Sequence, residues 1–128
     1  MAVLSAFADE VTDDFSGQVS YLASQHLRFI EIRFVNKKNV MDLTDAELRE
    51  VKKMLDDNGI GVSAIGSPIG KIKIDLPFQP HLDKFKHAVE LAEFFHAPFI
   101  RIFSYYPVEN QLIDKSREEV LEIMRKKV

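Results

Sequence analysis

The chain has 128 residues, 46% of them hydrophobic, with 17 Lys+Arg against 20 Asp+Glu for a formal net charge of −3. That is enough apolar material for one domain and too little for two, and the acidic balance argues against a general nucleic-acid or membrane-surface binder, which needs a basic excess. The absence of cysteine excludes a disulfide scaffold, a thiolate metal site and a cysteine nucleophile.

Taken in chain order, short β-like runs alternate with helical patterns four times. The first run is Val3-Leu4-Ser5-Ala6-Phe7-Ala8, and Phe15, Val19, Leu22 and His26 then mark one face of a helix. The second run, Phe29-Ile30-Glu31-Ile32-Arg33-Phe34, has a period of two. Thr44-Asp45-Ala46-Glu47 is a capping box that opens a helix with Leu48, Val51 and Leu55 as its stripe, and Gly59 stands where a left-handed cap is wanted. The third run, Val62-Ser63-Ala64-Ile65, breaks at Gly66-Ser67-Pro68. Pro77 and Pro80 precede a helix carrying Leu82, Phe85, Val89, Ala92 and Phe95. The fourth run is Phe99-Ile100-Arg101-Ile102-Phe103, and Ser116-Arg117-Glu118-Glu119 reads as a capping box for a last helix. No apolar run approaches the ~18 residues of a membrane span. The start Met1-Ala2-Val3-Leu4-Ser5 lacks the basic and apolar regions of a signal peptide, so a cytoplasmic location is expected.

Alternation of this kind predicts an α/β fold with parallel strands joined by right-handed crossovers. Strand starts near residues 3, 29, 61 and 98 suit βα units of roughly 30 residues. Four such units make residues 1–128 a single (βα)4 domain with strand order 1-2-3-4, half of the ~250-residue (βα)8, or TIM, barrel. The competing architecture is a doubly wound open sheet, which usually carries a Gly-rich first turn; none follows the first run here.

The pattern of the second and fourth runs favours the barrel. Ile30, Ile32 and Phe34 share one face, as do Ile100 and Ile102, while Glu31, Arg33 and Arg101 lie opposite. A doubly wound sheet buries both faces, whereas a barrel turns one face into a lumen where charge is useful. Two arginines against one glutamate leave a positive surplus that suits a phosphate or carboxylate; the competing reading is a self-satisfied interior ion network. Gly66-Ser67-Pro68-Ile69-Gly70-Lys71 departs from the Walker spacing and is no nucleotide loop, but it offers Lys71 and Lys73 to an anion. Asp13 and Asp14 read as helix-capping carboxylates, while Asp9 and Glu10 stay open between roles. His26, His81, His87 and His96 show no ligand spacing and read as surface or helix-packing residues.

Phe7-Ala8-Asp9-Glu10, Ile30-Glu31-Ile32-Arg33, the segment from Ser63 to Lys71, and Ile100-Arg101-Ile102-Phe103-Ser104-Tyr105 occur in order at successive strand ends. Together they resemble the sugar phosphate isomerase/epimerase family, with its xylose-isomerase-like TIM barrel, over the first half of that barrel. The resemblance implies a wall of the substrate pocket built from Glu31, Arg33, Ser67, Lys71, Arg101 and Ser104, as contacts or supports for a sugar or sugar phosphate. It also implies a divalent metal (Mn, Mg, Co or Zn) in the complete family, held by strands of the second half, so that no metal ligand or catalytic residue is assigned in this chain. An N-terminal half without activity of its own is therefore expected. The alternatives are an anion-binding half-barrel closed by homodimerisation, or a subunit completed by a separate chain. Two open sheet edges lead to the further expectation that the chain self-associates.

Overall fold

The computed structural model describes residues 2–109 and 113–128. Helix α1, Phe15–Ser24, starts at Asp14, whose carboxylate accepts from the Gly17 amide, and it buries Phe15, Val19 and Leu22 along one face. Strand β1, Phe29–Ile32, alternates half-buried and buried side chains, with Ile30 and Ile32 in the core. A small antiparallel pair follows, β2 at Phe34–Val35 and β3 at Lys38–Asn39. Helix α2, Asp45–Asp57, opens on the expected capping box, Thr44 and Glu47 each satisfying the other's amide. Past its end Gly59 takes φ +64, the left-handed conformation that glycine enters without a Cβ penalty. Strand β4 (Gly61–Ile65), helix α3 (Phe78–Phe95), strand β5 (Phe99–Ile100) and helix α4 (Ile113–Arg125) complete the order.

Strand β4 lies between β1 and β5, and all three are parallel, with Ile32 opposite Ile65 and Ile65 opposite Ile100. One core forms where Ile30, Ile32, Val62 and Ile65 of the sheet meet Phe15, Val19 and Leu22 of α1, Leu48, Val51 and Leu55 of α2, and Leu91, Ala92 and Phe95 of α3. Each large apolar side chain so buried stabilises the fold by roughly 1.5–3 kcal/mol before chain entropy is set against it.

The expected (βα)4 half-barrel with strand order 1-2-3-4 does not form; a three-stranded parallel sheet, order β1-β4-β5, and a separate antiparallel pair stand in its place. The first run contributes a single parallel bridge, Ala6 to Ile30, and leaves Val3 and Leu4 66% and 72% exposed. Its chain turns instead into a 3-10 helix at Ala8–Glu10, where two carboxylates meet Arg33. The fourth run pairs only at Phe99–Ile100. Pro98 ahead of it has no N–H to give, and beyond it pairing is reduced to separate bonds such as the Arg101 amide to the Ile65 carbonyl, 2.9 Å.

Other expectations are corrected locally. Phe34 does not share the buried face of Ile30 and Ile32; it is 39% exposed and Val35 takes the buried place. The chain reverses there through Asn36 and Lys37, both at positive φ (50° and 68°), as a tight type I′ hairpin requires. Ile102 is exposed rather than apolar-side core. His26 lies beyond the end of α1, exposed and left-handed at φ 56. Pro80 sits inside the first turn of α3, where the missing N–H is no loss, and α4 already runs from Ile113, so Ser116 lies within the helix rather than at its cap.

The cap of α2 carries an acid-sensitive contact. Lys38 at 2.8 Å, aided by the Thr44 amide, holds the Glu47 carboxyl at about 2 against an ordinary 4.5. A carboxylate whose pKa is depressed by folding adds stability that is present above pH 4.5 and lost as the pH falls toward 2. In denaturant titrations between about pH 5 and about pH 2, Glu47→Gln should lose less stability than the parent chain. Parallel curves would show that this contact plays no part in acid sensitivity.

Candidate functional site

Side chains that alternate away from the core give the sheet a polar and aromatic second face. Glu31 projects from β1 and Arg33 from its exit, Ser63 from β4, and Arg101 and Phe103 from the continuation of β5. Ser5 and Ser63 join the first run to β4 through their hydroxyls, 2.6 Å apart.

Across this face cations and aromatic rings alternate. The Arg33 guanidinium carbon lies 4.8 Å from the centre of the Phe7 ring, and Arg101 lies 5.1 Å from the same ring. Arg101 is also 4.9 Å from the Phe103 ring, and the Lys71 ammonium follows at 5.7 Å from Phe103. The row therefore reads Arg33, Phe7, Arg101, Phe103, Lys71. Each cation over a ring gains on the order of 0.5–2 kcal/mol.

The three cations differ in what balances them. Arg33 donates to Asp9 at 2.8 Å and to Glu10 at 3.3 Å, and the Asp9 hydrogen bond above all holds its pKa above the usual arginine range. Asp9 is deep enough, 8% exposed, for that pair to matter. Arg101 has no carboxylate within ion-pair distance among the described residues. It donates to the carbonyls of Gly66 (3.1 Å) and Ser67 (3.3 Å), and its buried Nε has no hydrogen-bond partner among the described residues. Burial first, then repulsion from Arg33, lowers its pKa, while Glu31 and Asp9 act in the opposite sense; a guanidinium nonetheless stays charged. Lys71 is exposed at the edge of a groove of about 660 Å³ shared with His81, Lys84 and His87.

Of the six residues expected from sequence, Glu31, Arg33, Arg101 and Lys71 belong to this face or its edge. Ser67 is fully buried beneath it: its hydroxyl donates to the Arg101 carbonyl at 2.5 Å and accepts from the Ile69 amide at 3.3 Å. It can position the Arg101 backbone but cannot touch a ligand. Ser104 is turned to a different cavity, about 390 Å³, with Ile74, Tyr106 and Arg117. Sequence reasoning missed the pairing of Asp9 and Glu10 with Arg33, the stacking of the cations on Phe7 and Phe103, and the acceptor role of His81. That histidine is buried, and its Nε2 accepts from the Gly70 amide at 2.9 Å. The signal for it was its spacing to Ala88, Ala92 and Phe95, the buried face of α3.

Among the described residues no group of three or more His, Asp or Glu side chains is placed to hold a metal ion. The arrangement can bind negative charge. No protein-family model matches this chain, and no curated protein matches it.

Proposed function

We propose that the chain binds a small anionic ligand, with its phosphate or carboxylate on Arg101 and Lys71 across the Phe103 ring. The observation that carries this is Arg101 itself: a half-buried guanidinium, held by two rings and two carbonyls, with no carboxylate within ion-pair distance among the described residues. Glu31 and Asp9 offset that burial only from beyond ion-pair distance, and a ligand anion would offset the remainder, since a guanidinium meets such a group with paired hydrogen bonds. The family resemblance supplies the ligand class, a sugar phosphate. Arg33 supports the row but is already spent on Asp9 and Glu10.

Titration with inorganic phosphate and with a pentose phosphate, read by calorimetry, tests the reading. Arg101→Met should weaken both by at least about tenfold, as loss of a charge-assisted hydrogen-bond pair does. Arg33→Met should weaken them less. Unchanged affinity in a folded Arg101→Met variant would return Arg101 to a purely structural role.

A further inference from the structure

Beside the anion site, the segment 66–71 is held from two sides. On one, it runs alongside 103–106: the Phe103 amide donates to the Ile69 carbonyl at 2.7 Å and the Tyr105 amide to the Gly70 carbonyl at 3.0 Å. On the other, the Gly66 amide at its start donates to the Ile32 carbonyl at 2.7 Å, and at Gly70 the buried His81 of α3 fastens it, its Nε2 accepting from the Gly70 amide at 2.9 Å. That bond requires a neutral ring with its proton on Nδ1. A protonated imidazole has two donors and no acceptor, so it would face the Gly70 N–H with an N–H of its own. The same segment supplies part of what places Arg101 and Lys71: Gly66 and Ser67 carry the carbonyls that Arg101 grips, and Lys71 directly follows Gly70.

The geometry points to His81 as a proton-operated pin: protonation releases the Gly70 amide, loosens that end of the 66–71 strap and weakens the anion site beside it. The consequence for ligand rests on the anion-binding reading above; the pin itself does not. Burial and two lysines oppose its protonation. The Tyr105 ring lies edge-on at 5.5 Å, and burial, then Lys127 from the end of α4 and Lys84 on α3, lower the His81 pKa below 6.5. Across the groove stand Lys71 and His87 with Asp42 and Asp83, a mixed set. A histidine whose pKa is lowered by folding contributes stability that is present above 6.5 and is lost as the pH falls through the folded value.

The test is amide exchange of Gly70 in the full chain, expressed as a protection factor, between about pH 7.5 and about pH 5. Protection should fall by up to about tenfold per pH unit below the ordinary histidine value. His81→Gln, which keeps an acceptor at similar reach and cannot titrate, should hold Gly70 at both ends of the range. Constant protection in the parent chain overturns the pin, and so does an equal fall in His81→Gln. Should that variant not fold, the parent chain still decides: the fall in Gly70 protection must level off at the midpoint of the His81 ring-proton titration, and a fall that runs on past that midpoint overturns the proposal.

Phosphate takes up a proton of its own over this interval, so the parent chain is read against His81→Gln: its phosphate affinity should fall further than that of the variant. Release of Gly70 with no phosphate binding at either pH would remove the anion reading and leave the pin. Phosphate binding with Gly70 held throughout would do the opposite.

Discussion

Gly70→Ala should lose at least about 3 kcal/mol of stability, enough to unfold a marginal domain of this size. Two effects add. Gly70 has φ +81, a conformation that costs a residue with a Cβ roughly 1–2 kcal/mol. The added Cβ would also fall 1.8 Å from the Phe103 carbonyl oxygen and 2.7 Å from its carbon. Those are backbone atoms, and the ladder bonds of Phe103 and Tyr105 to Ile69 and Gly70 fix them, so relief means breaking the strap. Gly59→Ala is the internal control, because φ is +64 there but nothing lies within 4 Å of the new methyl. It should cost only about 1 kcal/mol. Urea midpoints for the two variants read the difference directly. A Gly70→Ala chain no less stable than Gly59→Ala would mean that 66–71 and 103–106 do not pack as described.

Ile65→Ala should cost about 2–5 kcal/mol, against about 0.5–1.5 kcal/mol for Ile65→Val. Ile65 is fully buried on the central strand, with Ile32 opposite on one side and Ile100 on the other. Neighbours tied on both sides of a sheet collapse poorly into a cavity, which places the loss in the upper part of that range. The Ile65 carbonyl also receives the Arg101 amide, so packing at this residue and the position of the cation row are linked. Denaturant unfolding of the two variants checks the expectation. Equal costs for the alanine and the valine would show a loosely filled core.

Much of the helical half of the fold was legible. Phe15, Val19 and Leu22, and Leu48, Val51 and Leu55, fall at spacings that only a helix turns to one side, and Thr44 with Glu47 marks a start by its own hydrogen bonds. The sheet was less legible, because pairing is decided by neighbours and not by a run's own composition. Val3 and Leu4 suit a strand, yet only Ala6 finds a partner; Asn36 was the sign of a hairpin that an uninterrupted second run concealed. At the site, period two separated Glu31 and Arg33 from Ile30 and Ile32, so the charged face was readable. The neutralisation of Arg33 was not, since Asp9 lies 24 residues away in sequence and approaches only after the chain turns at Ala8–Glu10. His81 was hidden for a related reason: its acceptor role depends on a glycine amide brought up by a loop.

The outermost strand, β5, is two residues long, begins after a proline and carries Phe99 at 69% exposure. Such a border gives a newcomer almost no free amide and carbonyl rhythm to extend, while offering it a bare ring. Growth of the sheet into fibres by template copying is thereby discouraged at this rim, and any encounter there must be won by covering the phenyl group.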